Sequence, residues 1–194
     1  MSNPNPTPIL NFRGEKVALG PICRDFLPEY TRWYNEFEGR FTLSGDLDPV
    51  TYDQRTASYE RWSRDRETSQ FTIYEASSLR PIGMTAIWVT DRFASSGFIF
   101  IHIGEKECRG RGYGGEAMAL VMDYGFHALS LESIEVTVVA SNIAGVRAYQ
   151  RAGFRVIGRR RESVRVGSRL EDFLYMHCPA GEFHSPALAQ RVEF

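Results

Sequence analysis

The segment Arg109-Gly110-Arg111-Gly112-Tyr113-Gly114-Gly115 is where residue types and spacing in this 194-residue chain point most directly to chemistry. Four glycines fall within six residues, so main-chain N–H groups can lie against a ligand with no side chain between. Ahead of them, Ile99-Phe100-Ile101-His102-Ile103 is an apolar, β-branched run without Pro or Gly, which predicts a buried strand. Beyond them, Ala117, Leu120, Val121, Tyr124 and Ala128 recur at spacings of three and four, which predicts a helix. A bare turn between a strand and a helix start offers N–H groups backed by the helix dipole, an arrangement suited to a pyrophosphate. Arg109 and Arg111 add positive charge. The turn reads as a phosphate cradle.

Two ligands compete for such a cradle. Gly110-x-Gly112-x-x-Gly115 satisfies the dinucleotide pattern, with a strand before and a helix after. That fingerprint normally opens the first βαβ unit, however, and here it lies past mid-chain. Glu135, at the spacing of the ribose-binding acid, stands at the start of its strand instead of the end. The second reading rests on Arg109-x-x-Gly112-x-Gly114, which resembles the acyl-CoA pyrophosphate loop of the GNAT superfamily of N-acetyltransferases. A second segment is similar to that superfamily's other CoA motif: Val138-Val139-Ala140-Ser141-Asn142, then Ala144, then Tyr149-Gln150-Arg151-Ala152-Gly153-Phe154. Gly104–Ala117, Val121–Phe126 and Gly167–Asp172 with Met176 resemble the ribosomal-protein N-terminal and spermidine acetyltransferase subfamily.

The resemblance implies an acyl-CoA-dependent N-acyltransferase that uses acetyl-CoA and no metal. The acetyl group would pass to a primary amine by direct attack in a ternary complex. It also implies that acetyl-CoA meets Ile101, His102, Ile103, the loop Arg109, Gly110, Arg111, Gly112, Tyr113, Gly114 and Gly115, and Asn142 and Arg151. Tyr149 is the expected general acid for the departing thiolate. It lies seven residues, two helical turns, after Asn142, so both share a helix face. Read without the motif, Tyr149 is an amphipathic core residue and Asn142 a helix N-cap. For the base that frees the amine, His102 and Glu75 are both candidates, as is a water chain. In the superfamily the acceptor rests between the first two helices. Here Glu36, Asp46 and Asp48 lie among Trp33, Tyr34 and other aromatic residues, which suits a cationic amine or plain loop solvation. A polyamine, an amino-containing small molecule or antibiotic, an amino acid and a protein N-terminus all remain open. A non-catalytic acyl-CoA-binding module is the alternative from a different class.

The elements that must position these residues follow from periodicity and breakers. Val17–Leu19 reads as a strand after a turn at Asn11–Gly14, and Asp25–Phe37 and Thr51–Arg64 read as helices. Strands at Phe71–Glu75, Ile82–Thr90 and Phe98–Ile103 precede the glycine turn and its helix, which runs to about Leu129. Ile134–Val139 is a strand and Asn142–Ala152 a helix with Gly153 placed as its C-terminal glycine. Arg155–Val164 and Asp172–Met176 pair through Gly167-Ser168. The order predicts an α/β (α+β) domain with one mixed sheet of about six or seven strands and helices on both faces. Residues 9–180 would form the domain, with tails at 1–8 and 181–194. Forty-three per cent hydrophobic and 24% charged residues mark an ordinary globular chain, and a net charge of −1 argues against nucleic acid and anionic membranes. Three scattered cysteines fit neither a disulfide framework nor a zinc site. A cytoplasmic protein is expected, with homodimerisation open.

Overall fold

The computed structural model describes residues 7–36, 48–166 and 168–184. One eight-stranded sheet runs β1-β2-β3-β4-β5-β6-β8-β7, and every neighbouring pair is antiparallel except β5 and β6. The strands are β1 (Phe12–Arg13), β2 (Val17–Pro21), β3 (Thr68–Glu75), β4 (Pro81–Asp91), β5 (Ser96–Ile103), β6 (Ser133–Val139), β7 (Arg155–Val166) and β8 (Arg169–Pro179). The helices are α1 (Leu27–Asn35), α2 (Tyr52–Trp62), α3 (Tyr113–His127) and α4 (Ile143–Arg151). The sheet exceeds the expected six or seven strands by β1. Its two residues, taken from sequence as part of a turn, pair Phe12 with Leu19 and Arg13 with Ala18. A two-residue strand carries no periodicity of its own, so only its partner reveals it. The first helix starts later than expected. Arg24–Phe26 forms a 3-10 turn, and Pro28 occupies the first turn of α1, where its missing N–H costs nothing.

The two faces of the sheet carry different cores. Strand alternation sends Ile99, Ile101 and Ile103 of β5 to one face, where α3 and α4 contribute Ala117, Leu120, Val121, Val146 and Tyr149. On the other face Tyr30 and Trp33 of α1 pack with Phe26, Tyr74 and Met84. Among the described residues no helix is long and apolar enough to cross a membrane.

The pairing between β5 and β6 is short. It joins Ser96, Gly97 and Phe98 to Ser133, Ile134 and Glu135 and then stops. From Val136 onward β6 continues its ladder with β8 alone. The sheet therefore parts at the carboxyl ends of its two parallel strands, the place where open α/β sheets take ligands. The glycine turn follows β5 and α4 follows β6, so both sequence motifs flank this opening.

Candidate active site

A groove of about 680 Å³ fills the opening. Its walls are Ile101, His102 and Ile103 of β5, the glycine turn, and Asn142, Arg147, Tyr149 and Arg151 on the far side. Gly110 and Gly112 adopt φ of +73° and +88°, in the left-handed region that glycine enters without penalty. A side chain at Gly110 or Gly115 would meet nothing within 4 Å, so their backbone faces open space. Gly112 is the N-cap of α3 with no side chain capping it, and Gly112, Gly114 and Gly115 of that helix start line the groove. A diphosphate fits this bare, dipole-backed surface. Lys16 went unnoticed in the sequence, yet its Nζ donates to the Arg111 carbonyl at 3.3 Å and adds a cation beside the turn. Glu116 explains its position, accepting the Lys16 N–H at 3.1 Å and so tying the start of α3 to β2.

Arg109 braces the loop. Its Nε donates to the Ile103 carbonyl at 2.9 Å, and Nη2 donates to the Gly104 carbonyl at 2.9 Å and to Glu36 Oε2 at 2.7 Å. Lys106 Nζ lies 3.2 Å from Glu36 Oε1. Glu36, expected from sequence to receive an amine, is thus committed to the foot of the glycine loop. Arg109→Ala should lower stability by ~2 kcal/mol, because two loop carbonyls lose a charged donor and the partly buried Glu36 carboxylate loses its guanidinium while keeping Lys106. Urea denaturation followed by circular dichroism measures this.

The helix carrying Tyr149 is capped at both ends. Asn142 Oδ1 accepts the Gly145 N–H at 2.9 Å, so the cap reading of Asn142 holds, and the same residue lines the groove. At the other end the Gly153 N–H reaches the Gln150 carbonyl at 3.1 Å and the Phe154 N–H reaches the Tyr149 carbonyl at 3.0 Å. This paired pattern, with Gly153 at φ +103°, is a Schellman turn. Its usual hydrophobic contact is here the Tyr149 and Phe154 rings, 6.0 Å apart. Tyr149 is therefore held from behind by its own helix end. Burial pushes its phenol up to about 12, so it stays protonated at neutral pH.

Other candidates lie elsewhere. Arg111 stacks its guanidinium 5.4 Å over the Tyr113 ring, and neither residue lines the groove. Glu75 lies outside the groove and accepts the Tyr113 hydroxyl at 2.8 Å and the Ser78 hydroxyl at 2.7 Å. Those two bonds hold its carboxyl below the usual range. The structure thus places Glu75 away from both cavities with its carboxylate already engaged. Asp48 is exposed and away from the groove, and Asp46 lies outside the described residues.

A second cavity, of about 410 Å³, opens on the other face of the sheet between α1, α2 and strands β3 to β5. Trp33 and Tyr34, singled out from sequence, line it. Trp62, Trp88, Phe100, Met84 and Arg55 were missed. For the three strand residues the signal was present as period-two alternation, Met84-Ala86-Trp88 on β4 and Phe98-Phe100-His102 on β5. His102 borders both cavities: its main chain belongs to the strand that walls the groove, and alternation turns its imidazole toward the Phe100 face. Among the described residues no group of three or more His, Cys, Asp or Glu is arranged to hold a metal.

Comparison with known proteins agrees with this geometry. The family model described as an acetyltransferase (GNAT) domain matches residues 16–155. A probable N-acetyltransferase, YjcK of Bacillus subtilis, is 30% identical over 158 residues, covering 81% of this chain and 83% of that protein. The human alpha/beta-tubulin-N-acetyltransferase 9 is 27% identical over 157 residues, covering 74% of each. The fold is also that of a Vibrio cholerae spermidine N-acetyltransferase solved with CoA and spermine. The two superpose with a TM-score of 0.79 at 20% identity, over 86% of this chain and 97% of that one. The chain belongs to the GNAT acetyltransferase family, enzymes that move an acyl group from acyl-CoA, here acetyl-CoA, to an amine.

Proposed function

We propose that this enzyme transfers the acetyl group of acetyl-CoA to a primary amine by direct attack, with donor and acceptor bound together on opposite faces of β5. One observation carries the reading: a bare-backbone groove and an aromatic cavity meet at His102, with Tyr149 across the groove. The glycine turn holds the diphosphate, and Arg147 and Arg151 extend positive charge along the groove wall. The amine enters from the Trp33 and Phe100 side and must lose a proton before it attacks. His102 takes that proton. The amine nitrogen bonds to the thioester carbon, the carbon–sulfur bond breaks, and the phenol of Tyr149 gives its proton to the departing thiolate. Two protons leave the nitrogen in all: the first passes through His102 to solvent before attack, and the second, shed as the amide forms, replaces the one that Tyr149 gives to sulfur, so one proton is released per turnover. No covalent enzyme intermediate is needed, and the Cys108 thiol beside the loop takes no part; burial raises its pKa.

The acceptor is a small amine that fits the cavity. Spermidine and tubulin appear in the names of the relatives, and they frame the choice between a small amine and a protein. The cavity volume lies within the range of small-molecule sites. Thiol release from acetyl-CoA in the presence of an amine panel tests the activity. In the same assay His102→Ala should lower kcat by ~10²-fold, the usual contribution of a general base, and leave the KM for acetyl-CoA unchanged. An unaltered kcat would move the base to water or to another group.

A further inference from the structure

We infer that the acceptor is a monoamine carrying a flat apolar body, such as an arylalkylamine, and not a polyamine. The inference rests on the acetyltransferase reading above and names the substrate class of its second cavity. The described walls are dominated by aromatic rings: Trp33 and Tyr34 from α1, Trp62 from α2, Trp88 from β4 and Phe100 from β5. Phe100 keeps 36% of its surface exposed in the middle of the sheet, apolar area that a flat ligand would cover.

The rings are set in place before any ligand arrives. The Trp33 indole Nε1 donates to Glu105 at 2.9 Å, and Glu105 in turn pairs with Arg32. Behind Trp33, Gly104 packs so closely that a Cβ there would lie 2.2 Å from the indole. Trp88 lies against Phe98 with centroids 5.0 Å apart. A rigid slot between rings rewards a planar apolar group and gives little to a flexible aliphatic chain.

Charge points the same way. A polyamine brings two or more further ammonium groups, each of which needs a carboxylate or an aromatic face. Asp65 is the one carboxylate among the described lining residues. It already accepts the Glu67 N–H at 2.8 Å, and that bond together with one from Thr68 holds its carboxyl below the usual range. Aromatic faces can also hold cations. Here Tyr34 and Trp62 already carry the guanidinium of Arg55, at 4.0 and 5.3 Å from their centroids. Arg55 and Arg61 line the same cavity, so cationic side chains already hold places that an extra ammonium would take.

The test compares 2-phenylethylamine, tryptamine, n-hexylamine and spermidine as acceptors, by thiol release with the full chain, alongside calorimetric titration of acetyl-CoA. A kcat/KM for the arylalkylamines at least ~10-fold above both n-hexylamine and spermidine supports the inference, a factor that ring stacking plus buried area supplies. Trp88→Ala should then raise the KM for the arylalkylamine by ~10-fold and leave the KM for acetyl-CoA in place, since Trp88 lies outside the groove. Equal or better use of spermidine overturns the inference and leaves the transferase reading intact. So does acetyl-CoA binding with no transfer to any of the four amines. Failure to bind acetyl-CoA overturns the transferase reading itself, and the inference with it.

Discussion

Replacing Tyr149 with Phe is expected to lower kcat by ~10²-fold or more and to leave the affinity for acetyl-CoA unchanged, because only the proton for the thiolate is removed. The ring remains. Its packing against Phe154 and the Schellman turn around Gly153 do not involve the hydroxyl, so the variant should fold as the parent does. The comparison therefore reads chemistry without a stability term. The pH profile offers a second check with a defined sign. Burial raises the phenol above its ordinary value to about 12, so the donor stays protonated below that value and is lost as pH rises through it. Loss of kcat near pH 10, where an exposed phenol titrates, would argue against Tyr149 as the acid. Unchanged turnover in Tyr149→Phe, by thiol release, would remove it from the mechanism.

Gly115→Glu should separate folding from donor binding in the opposite way. Gly115 is the third residue of α3, and a Cβ there meets nothing within 4 Å, so a larger side chain has room. A helix prefers almost any residue to glycine by ~0.5–1 kcal/mol, and a carboxylate in the first turn gains a further ~0.3–1 kcal/mol from the dipole. The Tm should hold or rise. Yet the new carboxylate stands where the proposed mechanism puts the diphosphate, and two such charges ~4 Å apart near a surface repel by several kcal/mol. The KM for acetyl-CoA should rise roughly 100-fold, which corresponds to ~2.7 kcal/mol. Gly115→Ala serves as the control, because a methyl group adds no charge and projects little into the groove. A Gly115→Glu variant that binds acetyl-CoA normally would place the diphosphate away from this turn.

These two positions were legible before any coordinates. The strand Ile99–Ile103, the glycine turn and helix α3 are consecutive in the chain, and so are β6, Asn142 and the helix that ends at Gly153. Apolar period, N-cap chemistry and a C-terminal glycine are local signals, written within one or two turns of the residue they govern. For that reason sequence alone determined the two motif segments, the placement of Tyr149 and Asn142 on one helix, and most strand positions.

What sequence could not supply is which residue each side chain meets across the fold. Glu36 joined the acidic acceptor group by proximity in the chain, whereas its guanidinium partner, Arg109, stands 73 residues away. Glu75 qualified as a base by type, and only the packing of β3 beside α3 shows its carboxylate held by Tyr113. The aromatic cavity draws on α1, α2, β3, β4 and β5, and no window of sequence contains it. Periodicity states which face of its own element a residue occupies. Strand pairing and the early parting of β5 from β6 decide what that face looks upon, since both arise from contacts between distant segments.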